Sequence, residues 1–364
     1  MTDEPLVSLE NAEVHFEEEQ GLLDFSDPDV VRAVDGVSLD IGEKDVVALV
    51  GESGCGKTTL GKTTIGLQRP TGGSVKYRGQ DIWDAKDGTG DVDIPYEEIR
   101  RSLQIIHQDP GSSLNPNRKV LGTLEAPLKK WQPNMSSGDR RREIVRMLEE
   151  VGMTPAADYA GRYPHQLSGG EKQRVALIRA LLMDPDLILA DEAISALDVS
   201  LRVDMMDLML DLQEQFNTSF VFVSHDLSNA RYIASHAGGR IGVMYLGELI
   251  EVGPPEQIIN DPQHPYTKVL RWATPDLRTT GETEAPPVRK IDIPDPKNPP
   301  SGCRFHTRCP EAREACTQQS PASYANGASH RVRCFRVDDA HEYWSSPPVS
   351  DEPDDQRPTE AHST

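Results

Sequence analysis

The chain has 364 residues, of which 37% are hydrophobic, and its 59 acidic side chains outnumber the 38 Lys and Arg side chains by 21. This length and hydrophobic content predict a folded protein of two or three domains, and the negative charge disfavours binding to nucleic acid or to anionic lipid head groups. No signal peptide opens the chain, and no apolar run approaches the roughly 20 residues of a membrane-spanning helix, so we expect a cytosolic protein.

The first elements are predicted to be strands. Residues 6–16 alternate enough to predict a strand pair, and residues 37–41 predict another half-buried strand, with a polar insertion between them. Residues 45–50 are a continuous apolar run of the kind found in buried parallel strands, and residues 59–65 can continue as a helix. A strand and a helix therefore flank a short glycine-rich segment.

That segment, residues 51–58, reads G-E-S-G-C-G-K-T and has the spacing of a phosphate-binding P-loop. Glycines let backbone N–H groups turn towards phosphate, Lys57 supplies a charge to the β- and γ-phosphate oxygens, and Thr58 is suited to ligate Mg²⁺. The alternative, a strand-to-helix turn with a chance Lys-Thr, is disfavoured by the flanking elements. The nucleotide-binding residues expected here are Gly51, Ser53, Gly54, Cys55, Gly56, Lys57, Thr58 and Thr59.

Beyond the P-loop the sequence predicts a second buried strand and a group of helices. Residues 84–93 are acidic and should form a surface loop, whereas residues 102–107 predict a strand that leads into Gln108, at the end where α/β proteins place their ligands. The amide of Gln108 can then reach Mg²⁺ or an attacking water. Between residues 115 and 163 apolar side chains recur at helical spacing, which predicts an inserted helical subdomain.

Two further groups of residues carry chemistry. Ser168, Gly169 and Gly170 precede a long helix and present a hydroxyl and two glycines to an anion, which predicts a second phosphate site without a lysine. A later apolar strand ends in Asp191 and Glu192. Asp191 suits a Mg²⁺ ligand, and Glu192 is suited to polarise the attacking water.

A last buried strand carries His225 at its carboxyl end, where an imidazole can sense the γ-phosphate. Together these features resemble the nucleotide-binding subunit of an ATP-binding cassette (ABC) transporter, over about residues 6–270. The resemblance implies an α/β P-loop NTPase fold with a RecA-like core, an antiparallel β subdomain and an inserted helical subdomain at about residues 96–165. It also implies catalytic roles for Glu192, His225 and Gln108, and Mg²⁺ ligation by Thr58, Gln108 and Asp191.

The resemblance adds two expectations about the nucleotide. Phe16 matches the aromatic side chain that stacks on adenine, although a lone Phe beside strands is more often part of a core. In this family two subunits pair head to tail, so that residues 168–170 of one face the P-loop of the other, which explains a phosphate site without a lysine. The motif ends in Glu171, where the family more often has Gln.

A finer resemblance points to the oligopeptide and dipeptide importer branch. Residues 108–116 and 264–270, and the insertion before residue 31, are similar to that branch. It implies an ATPase on the cytoplasmic face of the membrane, paired with a second ABC ATPase or with its own copy, and bound to two permease subunits that receive cargo from an extracytoplasmic substrate-binding protein. The alternative is a soluble ABC ATPase acting in DNA repair or translation, which the single cassette and the acidic charge disfavour.

The whole chain is predicted to divide into four parts. They are a cassette at residues 1–260, a linker with a short helix at 261–300, a four-cysteine module at 301–337 and an acidic, disordered tail at 338–364. Four thiolates fit zinc, but the spacing C-x5-C-x6-C-x17-C lacks the tight pair usual in zinc knuckles. The segment around the first two cysteines resembles a motif of peptide-importer ATPases that implies a four-iron four-sulfur cluster, while free thiols are the third alternative. The cysteines are Cys303, Cys309, Cys316 and Cys334.

The net charge of −21 fits a cytosol of very high salt, as in a halophilic archaeon, because salt screens the repulsion between like charges. We therefore expect the melting temperature of the protein to rise with KCl from dilute buffer into the molar range. Thermal unfolding followed by circular dichroism measures this dependence. A flat response would contradict the halophile hypothesis.

Overall fold

The computed structural model describes residues 4–17, 29–109, 111, 114–277 and 286–349. The strands are β1 Val7–Glu17, β2 Val30–Ile41, β3 Val46–Val50, β4 Gly72–Tyr77, β5 Gln80–Asp81, β6 Leu103–Ile106, β7 Leu187–Asp191, β8 Ser219–Val223, β9 Arg240–Tyr245, β10 Glu248–Gly253, β11 Tyr324–Ala325 and β12 Arg331–Val332. The helices are α1 Lys57–Thr64, α2 Ile82–Asp87, α3 Tyr96–Ser102, α4 Val120–Trp131, α5 Ser137–Glu150, α6 Ala156–Gly161, α7 Gly169–Leu181, α8 Val199–Phe216, α9 Leu227–His236, α10 Pro255–Asn260, α11 Pro265–Ala273 and α12 Ala315–Gln318.

An eight-stranded sheet, in the order β11-β12-β10-β9-β3-β8-β7-β6, forms the centre of the fold. The pairs from β9 through β3, β8 and β7 to β6 are parallel, whereas β10 is antiparallel to both of its neighbours. Every residue of β3, β7 and β8 is buried, as expected for apolar strands covered on both faces. Parallel strands bring their carboxyl ends to one edge, and that edge carries the P-loop, Asp191 and His225.

A four-stranded antiparallel sheet, in the order β2-β1-β4-β5, packs against the P-loop helix α1. The prediction of a strand pair in residues 6–16 is wrong, because β1 is one continuous strand that pairs with both β2 and β4. Its register shifts between Leu9 and Ala12, where Asn11 takes a φ of 47°. This bulge interrupts the alternation of buried and exposed side chains, so the sequence pattern resembles two strands.

The predicted surface loop at residues 84–93 begins inside a helix. The Asp81 carboxylate accepts hydrogen bonds from the backbone N–H groups of Trp83 and Asp84, at 2.8 and 3.1 Å, and caps α2. Ile82 and Trp83 are buried, so only the first turn of this helix contacts the core. The acidic residues that follow the first turn have the composition of a surface loop, so the sequence analysis did not predict this helix.

The inserted helical subdomain contains α4, α5 and α6. The Ser136 hydroxyl caps α5 by accepting from the Asp139 N–H at 3.1 Å. The range predicted for the helical subdomain, residues 96–165, starts too early, because β6 lies inside that range and pairs with β7 in the eight-stranded sheet. The helical insertion therefore begins after Ile106.

The C-terminal region is more firmly attached to the cassette than a linker and a separate module would be. Helix α11, inside the predicted linker 261–300, buries Tyr266 and Thr267 completely. Strand β12 pairs with β10, so the four-cysteine segment continues the eight-stranded sheet. The tail prediction is wrong for residues 338–349, where Tyr343 is buried and the Val349 N–H donates to the Ala312 carbonyl; residues 350–364 lie outside the described residues.

Glu251 of β10 fastens these C-terminal elements together from a fully buried position. Its carboxylate accepts hydrogen bonds from the backbone N–H of His264 at 3.0 Å and from the hydroxyl of Thr267 at 2.5 Å, at the start of α11. The ring of His330, beside β12, lies 2.8 Å from the same carboxylate. One buried acid thus joins a strand, a helix and the edge of the cysteine module.

Among the described residues, no helix combines the length and the apolar content that crossing a bilayer requires.

His264 predicts a pH dependence of stability. Burial lowers its pKa to about 4, so the unfolded chain binds more protons than the native state between pH ~6.5 and ~4, and the native state loses up to about 3 kcal/mol across that window. The Nδ1 atom of His264 accepts from the Tyr266 N–H at 3.1 Å, a contact that Asn can replace without titrating. We expect the stability advantage of the wild type over His264→Asn to shrink from pH 7 to pH 4. Urea unfolding at each pH gives the free energy of unfolding of the two proteins. Free energies that change equally with pH in both proteins would contradict the assignment.

Candidate active site

The P-loop connects β3 to α1 and lies close to neighbouring backbone. A Cβ atom on Gly51 would stand 2.2 Å from the Met244 carbonyl oxygen, and one on Gly56 would stand 1.9 Å from that of Ala33. Gly54 has a φ of +78° and open space around it, and Ser53 is exposed beside it. Glycine is thus required at two positions by close packing and at the third by backbone conformation.

The two polar residues at the start of α1 are placed for phosphate and metal chemistry. Lys57 is buried, and its Nζ donates to the carbonyl oxygens of Gly51 and Glu52 at 2.8 and 2.9 Å. The Thr58 hydroxyl donates to the Asp191 carboxylate at 2.8 Å, across the gap between α1 and the end of β7. A hydroxyl and a carboxylate at this separation offer the hard oxygen ligands that Mg²⁺ prefers.

The other two P-loop side chains named from the sequence have different surroundings. Cys55 is buried, and its Sγ lies 3.8 Å from the Lys57 Nζ. Burial raises the pKa of this thiol. Thr59 lies in the first turn of α1 and is half-buried.

Three side chains predicted to be catalytic meet beside Asp191. The Gln108 amide donates to the Glu192 carboxylate at 3.1 Å, and the Nδ1 atom of His225 lies 3.7 Å from the same carboxylate. Glu192 has a φ of 48°, which is uncommon for a residue with a side chain and is typical of strained functional positions. The carboxyl ends of β6, β7 and β8 bring these residues from three separate segments to one point.

Gln173 is a functional residue that the sequence analysis did not identify. It is buried in α7, and its side-chain amide donates to the Gln108 carbonyl at 3.3 Å. This contact ties the segment after β6 to the helix that follows residues 168–170. The sequence signal for this residue was a Gln within a largely apolar helix. A buried side-chain amide requires hydrogen-bond partners, so such a Gln indicates a contact with another segment.

Ser168 and Gly169 are exposed at the start of α7, and Gly170 is half-buried. The Ser168 hydroxyl accepts from the Glu171 N–H at 3.2 Å, while the Glu171 carboxylate accepts from the Ser168 N–H at 2.6 Å. This reciprocal pair is a capping box, which Glu and Gln both form. The replacement of Gln by Glu171 therefore keeps the helix start intact.

Phe16 lies near the end of β1, opposite Val31 of β2, and is 44% exposed. The alternative that it belongs to the core is therefore wrong. An exposed aromatic ring at the rim of the antiparallel sheet is available to stack on a ligand.

The four C-terminal cysteines lie around one small cavity. Cys309, Cys316 and Cys334 are buried, Cys303 is half-buried, and none of the four forms a disulfide bond. Burial raises the pKa of each thiol, to about 12 for Cys309 and to about 11 for Cys334. Four thiols that converge from separate turns are the donor set expected for a metal or an iron–sulfur cluster.

The distances between the four cysteine sulfur atoms can be compared with the geometry that a bound zinc ion requires. A single tetrahedral zinc ion requires thiolate sulfurs about 3.8 Å apart, given zinc–sulfur bonds of ~2.3 Å. Among the described residues, only Glu13, His15 and Asp35 bring three ligand atoms of His, Cys, Asp or Glu within 4.8 Å of one another. The cysteine sulfurs are therefore spread more widely than one zinc ion needs.

Comparisons with known proteins identify the class of protein to which the chain is similar. A family model described as "ABC transporter" matches residues 34–195, and one described as "Oligopeptide/dipeptide transporter, C-terminal region" matches residues 250–316. The solved structure "Dimeric Structure of MJ0796, a Bacterial ABC Transporter Cassette" is 29% identical, with a TM-score of 0.56 over 68% of this chain and 98% of that one. The fold is also that of cbiO1 from Clostridium perfringens, at 22% identity and a TM-score of 0.58 over 71% of this chain and 92% of that one. The fold and site define an ABC-type ATPase.

Curated relatives match almost the whole chain. It is 40% identical to the dipeptide transport ATP-binding protein DppF of Haemophilus influenzae, over 92% of this chain and 97% of the relative. It is 39% identical to the oligopeptide transport ATP-binding protein AppF of Bacillus subtilis, over 91% and 97%. The chain belongs to the ATP-binding subunits of oligopeptide and dipeptide ABC importers, which are ATP hydrolases.

Proposed function

We propose that this subunit hydrolyses ATP at the carboxyl edge of the eight-stranded sheet, with Thr58 and Asp191 holding Mg²⁺ and Glu192 directing the attacking water. The observation that carries the proposal is the 2.8 Å contact between Thr58 and Asp191, with Glu192 as the next residue. Mg²⁺ supplies positive charge that neutralises the phosphate oxygens. Lys57 exchanges its two carbonyl partners for β- and γ-phosphate oxygens when ATP binds.

Gln108 and His225 complete the hydrolytic group. Both side chains lie close to the Glu192 carboxylate, at 3.1 and 3.7 Å. Each can therefore change its position when a γ-phosphate binds at this edge of the sheet. Gln108 offers its amide oxygen to Mg²⁺ or to the water, and His225 offers an imidazole to the phosphate. Their loops leave the ends of β6 and β8, the strands on either side of β7, so hydrolysis at one point can change the positions of both.

A second ABC ATPase subunit is required to complete the site, and a heterodimer is favoured over a homodimer. Ser168 and Gly169 are exposed at the N-terminus of α7, where backbone N–H groups and the helix dipole favour an anion from outside the chain. The solved cassette MJ0796 is titled as dimeric. Phe16, exposed at the rim of β1, stacks on the adenine of the bound ATP.

The cargo of the transporter is a peptide, received from an extracytoplasmic substrate-binding protein and passed through two permease subunits, with this subunit at the cytoplasmic face of the membrane. Support comes from relatives named for dipeptide and oligopeptide transport and from the match of residues 250–316. A role in DNA repair or translation is disfavoured, because that C-terminal match belongs to transporters and the net charge of −21 opposes nucleic-acid binding.

The four cysteines bind a four-iron four-sulfur cluster rather than zinc. The support is the convergence of four thiols on one cavity, where no three sulfur atoms lie within 4.8 Å of one another. Such a cluster supplies bonds between turns that have little secondary structure of their own. Cys303, Cys309, Cys316 and Cys334 would each contribute one thiolate.

The role of Glu192 can be tested by replacing it. Glu192→Gln should keep ATP binding while lowering the hydrolysis rate by about 10² to 10⁴, since the amide cannot accept a proton from water. Lys57→Ala should instead weaken ATP binding. Phosphate release and ATP titration on the purified proteins separate the two effects.

Glu214→Gln is the matched control, because it makes the same change at an exposed position of α8. It should hydrolyse ATP at the wild-type rate. Near wild-type hydrolysis by Glu192→Gln would contradict the assignment.

The cysteine cluster predicts a colour. Protein purified without oxygen should be brown, with a broad visible absorbance that Cys309→Ser removes, because the cluster loses one of its four ligands. Cys55→Ser changes the cysteine of the P-loop and should retain the absorbance. Colourless protein with stoichiometric zinc would support the zinc alternative, and protein without any metal would contradict both.

A further inference from the structure

Arg308 brings the cysteine module into direct contact with the P-loop. Its Nη1 atom lies 3.1 and 3.0 Å from the two carboxylate oxygens of Glu52, and its Nη2 atom lies 3.1 Å from the first of them. The Arg308 side chain is only 6% exposed and that of Glu52 is 23% exposed. The two residues are 256 positions apart in the sequence, so this ion pair joins the C-terminal region to the second residue of the P-loop.

The backbone of Glu52 is held as well. Its N–H donates to the hydroxyl of Tyr266, in α11, at 2.9 Å, and its carbonyl accepts from the Lys57 ammonium at 2.9 Å. Two of the groups that hold Glu52 therefore come from the region beyond the cassette. The third is the lysine expected to bind phosphate.

Arg308 is itself fixed by its surroundings. Its guanidinium lies over the rings of Tyr245 and Phe305, at 5.8 and 5.6 Å from their centroids. Phe305 packs in turn against Tyr245 and Tyr266, with ring centroids 5.3 and 5.5 Å apart. Four residues earlier, the buried Arg304 donates to the Asp35 carboxylate and the Leu246 carbonyl. The segment from Cys303 to Cys309 thus holds the cassette with two buried arginines.

The two residues that follow Glu52 contribute little side-chain packing to the P-loop. Gly54 has open space where a side chain would stand, and Ser53 is exposed. The Glu52 carboxylate also stands in the loop that receives the negatively charged phosphates. Without a cation beside it, this carboxylate would repel them.

We propose that Arg308 is a positioning residue for ATP. By pairing with Glu52 it holds the first half of the P-loop and neutralises a carboxylate beside the phosphate site, so ATP affinity depends on this ion pair. The inference rests on the binding of ATP by the P-loop and is independent of the group held by the cysteines. It assigns a role in the ATP site to a residue outside the hydrolytic group.

The test compares full-length variants by Mg²⁺-ATP titration and by steady-state hydrolysis. Arg308→Gln should raise Kd and KM about tenfold, the scale of one charge-assisted hydrogen-bond pair, and change kcat less than about twofold. Arg308→Lys should recover part of the affinity, because it restores the charge but not the paired geometry. Adding Glu52→Gln to Arg308→Gln should weaken binding no further, since the carboxylate that lacks its partner is then removed.

Arg333→Gln is the matched control. Arg333 also fastens the module to the cassette, through an ion pair with Glu248 at 3.2 Å, without contacting the P-loop. It should lower the melting temperature and leave the ATP Kd unchanged. Wild-type ATP affinity in folded Arg308→Gln, or an equal loss of affinity in Arg333→Gln, would overturn the proposal. A wild type that binds ATP without hydrolysing it would contradict the hydrolytic roles proposed above, while the comparison of Kd values would still decide the role of Arg308.

Discussion

The structure depends on the parallel hydrogen bonding of β3, β7 and β8, which places the carboxyl ends of three separate chain segments side by side. Asp191 pairs with Val223 at the end of these strands, and Leu49 pairs with Val223 on the other side. The P-loop, the Asp191–Glu192 pair and His225 therefore start from one edge of the sheet. A shift of one residue in the register of β7 would turn the Asp191 side chain to the opposite face of the sheet and separate it from Thr58.

The C-terminal region belongs physically to the same unit. Strand β12 extends the sheet through β10, and Glu251 joins β10 to α11 and to His330 by buried hydrogen bonds. A segment attached in this way shares the stability of the cassette, because opening it would expose a buried carboxylate. The P-loop lies between this region and the sheet, where Tyr266 and Arg308 contact it.

Charge is arranged differently inside and outside the molecule. The chain has a net charge of −21, while the contacts between the cysteine module and the cassette pair arginines with acids. Ion pairs at a buried interface define its geometry more strictly than apolar packing does, because a misplaced partner leaves a charge uncompensated. Because Arg304 and Arg308 each pair with an acid of the cassette, these two ion pairs orient the short segment between Cys303 and Cys309.

The sequence by itself determined the P-loop, Gln108, the Asp191–Glu192 pair and His225 as candidates, because their chemistry depends on local spacing beside apolar strands. It also predicted the buried strands. It missed α2, whose apolar residues occupy only the first turn, and the packing of residues 338–349, where Tyr343 is buried. Only the tertiary structure decided that Arg308 meets Glu52 and that Gln173 holds Gln108. These contacts join distant segments, and such partners leave no periodic pattern in the sequence.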